Sequence, residues 1–220
     1  MIKYLKMEKN TKKAAIFDLD GTLYVSDKID KLNELASIKT ISEHLNISEQ
    51  TAKKIFLDKR TISNSDDLKP ISRTFHEMNI PLHLIGENQI KYIVPKGIIT
   101  KNSKLVRLIR KLRDFYKISL LTNSKKEIAI QILHQLGFNL KDFDLIITGD
   151  DLIEFKPSTN ELKNCINTLD VFIEESIMIG DRWHVDLEPA KEIGMRVLMV
   201  NHISDLYKWI ENEITRHECE

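Results

Sequence analysis

The sequence predicts an α/β fold: a Rossmann-like, three-layer core with a parallel sheet, plus a small all-helical cap domain. From Lys101 onward, short apolar segments alternate with segments of helical periodicity, a pattern typical of parallel strands covered by helices on both faces. The region after the first apolar segment instead has apolar residues at helical spacing and no strand alternation up to Leu82. We therefore predict a core domain of residues 13–25 and 98–220 and an inserted cap domain of residues 26–97.

The core elements follow in chain order. AAIFD at 14–18 predicts a buried strand because it is apolar and too short for a helix. Further strands are predicted at 118–121, 144–148, 176–180 and 196–200. Helices are predicted at 105–112, 128–136 and 158–169; a further helix ends near residue 194, and a last one begins at residue 204. Gly137 suits the left-handed turn that ends a helix. Ser158 and Glu161 fit a capping box, in which each side chain accepts from the other residue's backbone N–H.

Three helices are predicted in the cap. Apolar residues from Ile29 to Leu45 step almost entirely by three, which indicates one amphipathic helix of several turns. Ser48 is placed to cap a second helix. A third, marked by apolar residues from Leu68 to Met78, ends before Pro81. A helical insert of this size suits a lid over the core.

Composition argues against several classes of partner. The 220 residues carry 33 Lys and Arg against 33 Asp and Glu, so no net field attracts nucleic acid or an anionic membrane. No run of about 18 apolar residues is present, and residues 1–13 lack the apolar stretch of a signal peptide. Cys165 and Cys219 form no CxxC motif. We therefore expect a reduced, cytoplasmic protein that binds neither nucleic acid nor membrane; its oligomeric state stays open.

Polar residues follow the predicted strands, at the edge where parallel sheets bind ligands. In chain order they are Asp18 and Asp20, Thr122 and Asn123, Lys156, and Asp181 and Asp186. Because the carboxyl ends of parallel strands meet at one edge, we expect these side chains to converge in one crevice. Several carboxylates at one place repel each other and call for a cation. Oxygen ligands without a Cys or His cluster indicate Mg²⁺, which shares its coordination shell with a phosphate.

Phosphoryl chemistry is the reaction that this set of residues favours. A hydroxyl and backbone N–H groups at Thr122 and Asn123 can hold phosphate oxygens, and Lys156 supplies fixed positive charge where negative charge gathers. A carboxylate that faces the phosphate can itself attack it, which gives an aspartyl-phosphate.

Four segments also resemble the motifs of the haloacid dehalogenase-like hydrolase superfamily. They are DLDGT at 18–22, LLTNS at 120–124, Lys156 in FKPS, and GDRWHVD at 180–186. The segments occur in the family's order, within residues 14–22 and 99–201. Residues 26–97 resemble only the architecture of the family's helical cap and carry no matching motif.

The resemblance implies a role for each residue. Asp18 would be the nucleophile, and Asp20 would be the acid that protonates the leaving oxygen and then the base that activates water. The substrate phosphate would be bound by Thr122, Asn123 and Lys156. Mg²⁺ would be held by Asp18, the Asp20 carbonyl and Asp181, with Asp186 a further acid in the metal shell, in direct or water-mediated contact.

In this family, an acid two residues after the nucleophile favours phosphoryl transfer over carbon–halogen cleavage. We therefore predict a Mg²⁺-dependent phosphatase that hydrolyses a small phosphorylated metabolite, a phosphate monoester. The alternatives are a phosphosugar mutase of the same superfamily, a phospho-acceptor signalling domain, and a binding protein that retains the fold without the activity.

Other residues are candidates for contact with the substrate. Tyr24 either lines the pocket or packs at the hinge between core and cap. Asp150 and Asp151 fit turn and cap roles better than metal binding. Two further candidates lie in the predicted metal loop, Arg182 and His184. Lone basic residues on helices are usually solvated, but four in the cap are also candidates: Arg60, Arg73, His76 and His83.

Overall fold

Five parallel strands form one sheet in the computed structural model, which describes residues 13–61, 68–93 and 97–219. The strands are Lys13–Phe17 (β1), Tyr116–Leu121 (β2), Leu145–Ile147 (β3), Ser176–Gly180 (β4) and Arg196–Met199 (β5). Their order is β3-β2-β1-β4-β5. The register places Phe17 beside Leu120 of β2 and Ile179 of β4. Because the chain extends the sheet first to one side of β1 and then to the other, a crevice opens at the carboxyl ends of the strands beside β1.

The described residues of the predicted insert form four helices: Asp27–Leu45 (α1), Glu49–Arg60 (α2), Ile71–Glu77 (α3) and Leu82–Tyr92 (α4). Ser48 caps α2 as predicted, because its side chain accepts from the backbone N–H of Thr51 at 3.2 Å. The four helices share a buried apolar cluster that includes Ile41, Phe56 and Phe75. The assignment of residues 26–97 to a separate domain stays a prediction.

Two expectations for this region are wrong. Leu68 does not start α3, because it pairs with Thr61 as an isolated antiparallel bridge and Pro70 stands directly before the helix. Helix α4 was not predicted, because Gly86 and Asn88 interrupt its apolar pattern. Both residues have a packing reason. A Cβ at Gly86 would lie 2.1 Å from Lys125 Cε, and Asn88 Nδ2 donates to Thr40 Oγ1 at 3.0 Å.

Five α-helices follow in the described part of the chain, the first of them before β2: Ser103–Leu112 (α5), Lys126–Leu136 (α6), Thr159–Leu169 (α7), Glu188–Glu192 (α8) and Ile203–Cys219 (α9). Alternate residues of β1 point to opposite faces of the sheet. Ala15 and Phe17 pack with α5, α6 and α9, whereas Ala14 and Ile16 pack with α7 and α8. The α/β class with a three-layer core is therefore confirmed. Residues 1–12 of the N-terminal segment 1–13, for which no signal peptide is predicted, lie outside the described residues.

Two predicted helix ends have different outcomes. Gly137 ends α6 with a φ of +98°, as predicted. The capping box at α7 is only half present. Ser158 accepts from the Glu161 N–H at 3.4 Å, but Glu161 Oε1 accepts from the backbone N–H groups of Ile153 and Glu154, both at 3.3 Å. Glu161 thus orders the loop before α7 instead of closing the box.

Within the described parts of the chain, no helix has the length and apolar character needed to cross a membrane.

Candidate active site

The residues that follow β1 and β4, and the loop between β3 and α7, bring three charged side chains into contact. Lys156 Nζ lies 2.5 Å from Asp18 Oδ1 and 2.6 Å from Asp186 Oδ1. All three residues are buried, at 3%, 6% and 2% exposure respectively. A buried ammonium is tolerated here because two carboxylates compensate its charge. Asp18 is also held by Thr22, whose hydroxyl donates to Asp18 Oδ2 at 3.2 Å.

Two glycines let Asp181 and Asp186 approach this group. Gly21 has a φ of +87°, and a Cβ there would lie 2.2 Å from Asp181 Oδ2. A Cβ at Gly180 would lie 2.6 Å from Asp186 Cβ. The turn after β1 and the end of β4 are therefore shaped to admit the two acids.

Burial and mutual repulsion set the protonation of this cluster. Burial raises the pKa of Asp18 to about 8; the Lys156 ammonium opposes this shift, and the Asp186 carboxylate adds to it. Burial, with Asp186 as neighbour, raises the pKa of Asp181 to about 6. For Lys156, burial favours the neutral amine, but Asp18 and Asp186 outweigh it and raise the pKa above its usual range. Lys156 therefore stays charged, and the raised pKa values of Asp18 and Asp181 show that this one ammonium does not fully offset burial and the repulsion between the carboxylates.

The chemistry of these side chains fits a divalent cation. Asp18, Asp181 and Asp186 each offer a carboxylate oxygen, and these atoms lie within 4.8 Å of one another. Asp181 Oδ1 is buried and has no hydrogen-bond partner among the described residues, although buried polar atoms are normally paired. An oxygen-only set with excess negative charge suits Mg²⁺.

Asp20 lies in a different environment from Asp18. Its side chain does not join the carboxylate cluster but accepts hydrogen bonds from three hydroxyl groups. Tyr24 donates to Oδ1, while Ser124 and Thr122 donate to Oδ2 at 2.6 and 3.5 Å. Tyr24 is buried, which together with Asp20 raises the pKa of its hydroxyl well above the usual value and keeps it a donor. The predicted metal contact of Asp20 through its backbone carbonyl stays a prediction.

Asn123 ties the end of β2 to the lysine loop. Its side-chain oxygen accepts from the Lys156 N–H at 2.8 Å, and its amide nitrogen donates to the Lys156 carbonyl at 3.0 Å. The Asn123 amide nitrogen also lies 3.4 Å from the hydroxyl oxygen of Ser72 in α3. The Asn123 side chain therefore positions Lys156, and the phosphate contact of the Asn123 backbone N–H stays a prediction.

Two hydrogen bonds join the described residues of the helical insert to the edge of this crevice. One is the contact between Ser72 and Asn123. The other is formed by Arg182, which directly follows Asp181 and whose guanidinium donates to the Leu68 carbonyl of the insert. The segment 68–72 therefore lies against the ends of both β2 and β4.

Several other candidates lie apart from the carboxylate cluster. Arg73 pairs with Glu77 at 3.2 Å, and His184 pairs with Glu188 at 2.8 Å. The acids after β3 have local roles, as predicted: Asp150 accepts from the Lys126 N–H at 2.7 Å and Asp151 from the Thr148 N–H at 3.0 Å. His76 and His83 are exposed.

Sequence reasoning assigned no role to Thr22 and Ser124 and left the role of Tyr24 undecided. Thr22 belongs to the DLDGT segment, and Ser124 directly follows Thr122 and Asn123. The same strand-end rule could have found both. No local signal indicates that the hydroxyls of Tyr24 and Ser124 meet on Asp20, since Ser124 is 104 residues away from it.

Comparison with known proteins identifies a family and several similar phosphatases. A family model for haloacid dehalogenase-like hydrolases matches residues 12–194. The glyceraldehyde 3-phosphate phosphatase of Methanocaldococcus jannaschii is 27% identical, with 91% of this chain and 89% of that protein covered. The phosphoglycolate phosphatase of Chromobacterium violaceum is also 27% identical, with coverages of 91% and 97%. A crystal structure of a HAD phosphatase from Thermococcus onnurineus superimposes with a TM-score of 0.60 at 28% identity, covering 86% of each chain.

Proposed function

The chain belongs to the haloacid dehalogenase-like hydrolase family, and we propose that it is a Mg²⁺-dependent phosphatase that hydrolyses a small phosphate monoester through an aspartyl-phosphate on Asp18. Its relatives over most of its length are phosphatases, and it is a hydrolase of phosphate esters. One observation carries the mechanistic part of the proposal. Asp18 and Asp20, two residues apart, have different environments: one is salt-bridged and buried, the other is held by hydroxyl groups. Such a difference lets two carboxylates take two roles.

Substrate binding uses the residues around Asp18. In this proposal Lys156, the backbone N–H of Asn123 and the Thr122 hydroxyl hold the phosphoryl oxygens. When bound at Asp18, Asp181 and Asp186, Mg²⁺ supplies positive charge that offsets the repulsion between these carboxylates and the phosphate.

The first step forms the covalent intermediate. A carboxylate oxygen of Asp18 attacks phosphorus, the bond from phosphorus to the ester oxygen breaks, and Asp20 gives its proton to the leaving oxygen. The released product is the alcohol. Lys156 stabilises the negative charge that develops on the phosphoryl oxygens.

The second step returns the enzyme to its starting state. Asp20, now ionised, takes a proton from water as the water oxygen attacks phosphorus. The bond from phosphorus to the Asp18 oxygen breaks, and inorganic phosphate leaves. The hydroxyls of Tyr24 and Ser124 donate to Asp20 and hold its carboxyl group in position for this step.

A panel of phosphate monoesters with Mg²⁺ tests the proposal. We expect phosphate release from the wild type, and loss of release in Asp18→Asn and after chelation of the metal. Release that persists in Asp18→Asn, or that survives full chelation, would refute the mechanism. An absolute requirement for a sugar bisphosphate activator would instead indicate the mutase.

A further inference from the structure

The Asn123 side chain joins three parts of the structure: the end of β2, the loop that carries Lys156, and helix α3 of the insert. Its Oδ1 accepts from the Lys156 backbone N–H at 2.8 Å, and its Nδ2 donates to the Lys156 carbonyl at 3.0 Å. The same nitrogen lies 3.4 Å from Ser72 Oγ. An amide nitrogen carries two hydrogen atoms, so Nδ2 can donate to the Lys156 carbonyl and to Ser72 at the same time.

The loop that carries Lys156 starts and ends at the end of β2. At its start, the Gly149 N–H donates to the Ser124 carbonyl at 2.8 Å, and a Cβ at Gly149 would lie 2.5 Å from the Asn123 carbonyl oxygen. At its end, the Asn123 side chain holds both backbone groups of Lys156. Between these points, Glu161 accepts from two backbone N–H groups of the loop. A change at the Asn123 side chain therefore reaches Lys156 directly, while the rest of the loop stays anchored.

The Lys156 ammonium depends on the position of its backbone. Its Nζ contacts Asp18 and Asp186 at 2.5 and 2.6 Å, and all three residues are buried. A displacement of about 1 Å at a reacting group can lower a rate by about 100-fold. The hydrogen bonds that hold the Lys156 backbone therefore bear on phosphoryl transfer, although they lie outside the group of charges.

The position of Ser72 is tied to the position of the whole insert. Ser72 lies in α3, whose Phe75 is fully buried in the apolar cluster that also contains Ile41 of α1 and Phe56 of α2. Because α3 packs against these helices, Ser72 moves together with the insert. A movement of the insert on the core therefore changes the contact between Ser72 and Asn123.

We propose that Ser72 and Asn123 are positioning residues for Lys156, so that the insert acts on the lysine through the Asn123 amide. When α3 lies against the end of β2, the Ser72 hydroxyl holds this amide in the orientation that fixes the Lys156 backbone. Neither side chain contacts the substrate in this proposal. The inference rests on the proposed phosphatase function and adds to it a coupling between the insert and the lysine.

Amide hydrogen exchange, resolved to single residues by mass spectrometry, tests this coupling without a measurement of activity. Asn123→Ala removes the acceptor of the Lys156 N–H and should speed exchange at this amide by about tenfold or more. Ser72→Ala should speed it by about 2–10-fold, the range that one hydrogen bond contributes. Unchanged exchange of the Lys156 amide in Ser72→Ala would overturn the coupling, whether or not Asn123→Ala folds.

A matched control removes another side-chain amide from the same loop. Asn160 is exposed, and its Nδ2 donates to Glu154 Oε2 at 3.3 Å. We expect Asn160→Ala to leave both the exchange of the Lys156 amide and the activity as in the wild type. Faster exchange at Lys156 in this control, equal to that in Ser72→Ala, would show a general loosening of the loop and would overturn the coupling.

Kinetics separate positioning from a general loss of structure. Asn123→Ala should lower kcat/KM by about tenfold or more, and Ser72→Ala by about 2–10-fold, each by the same factor on esters of different size. In the double variant, the loss of Ser72 should have no further effect, because its route to Lys156 is already removed. Two independent structural effects would instead multiply.

The outcomes distinguish the two proposals. In an enzyme that hydrolyses phosphate esters, losses that multiply in the double variant, or that differ from ester to ester, would overturn the coupling. If the wild type hydrolyses none of a broad panel of esters in the presence of Mg²⁺, the phosphatase function itself is wrong. Exchange at the Lys156 amide then still decides whether Ser72 acts on the lysine.

Discussion

Replacing Lys156 tests whether one ammonium holds the carboxylate cluster together. Lys156→Met keeps the length of the side chain but removes the charge that contacts Asp18 and Asp186 at 2.5 and 2.6 Å. Because both acids are buried, the variant leaves them without their cation. Removal of one partner from a buried ion pair costs about 3–5 kcal/mol. In a chain of this size 1 kcal/mol changes Tm by about 2–4 °C, so we expect Tm to fall by about 6–20 °C.

The matched control is Lys125→Met. Lys125 pairs with Asp150 at 2.6 Å, a distance similar to those at Lys156, but the two side chains are 28% and 35% exposed. Exposed pairs contribute about 0–1 kcal/mol, which corresponds to at most about 4 °C. Thermal unfolding followed by circular dichroism, with a chelator present, measures both variants. Equal Tm values for the two variants would refute the argument that burial makes the Lys156 contacts important.

Three further predictions concern single side chains. Tyr24→Phe removes a hydrogen-bond donor to Asp20 and should reduce kcat on alkyl phosphates by about tenfold. The loss should be smaller on p-nitrophenyl phosphate, because its leaving group needs no proton. Equal losses on both substrates would contradict a role of Tyr24 through Asp20. Gly21→Ala places a Cβ on a residue with left-handed backbone, at a cost of about 1–2 kcal/mol, and this Cβ would clash with Asp181. The Mg²⁺ concentration needed for half-maximal activity should therefore rise. An unchanged Mg²⁺ concentration would refute the role of this turn. Burial raises the pKa of Glu213, but the Tyr116 hydroxyl, Arg216 and Arg196 outweigh burial and lower it. A carboxyl group whose pKa is lower in the folded state stabilises the fold at pH values above its pKa in the unfolded chain. This stabilisation is lost as the pH falls through the folded-state pKa. Denaturant unfolding should therefore show wild type more stable than Glu213→Gln at pH 7, with the difference shrinking below about pH 4.5; a constant difference would contradict this.

The candidate site residues were predictable because one geometric rule governs them. In a parallel sheet the carboxyl ends of the strands share an edge, so the acids after β1 and β4 and the lysine after β3 could be grouped before any contact was known. Lys156 does contact Asp18 and Asp186. Their catalytic roles stay predictions.

The features that sequence missed depend on distance in space instead of on local pattern. Helix α4 contains Gly86 and Asn88, both poor helix formers, and tertiary packing against Lys125 and Thr40 outweighs their propensity. The position of the Asp20 side chain depends likewise on Ser124, which is distant in sequence. Periodicity and capping rules describe neighbours along the chain, so they cannot indicate such contacts.

Trapping the phosphorylated enzyme tests the central claim most directly. Asp20→Asn lacks the base for the second step but can still transfer the phosphoryl group from p-nitrophenyl phosphate, because nitrophenolate leaves without a proton. After rapid acid quenching, peptide mass spectrometry should find one phosphoryl group on Asp18, removable by hydroxylamine and missing from the Asp18→Asn, Asp20→Asn double variant. A label on another residue, or hydrolysis by the wild type with no label at any time in Asp20→Asn, would contradict the account.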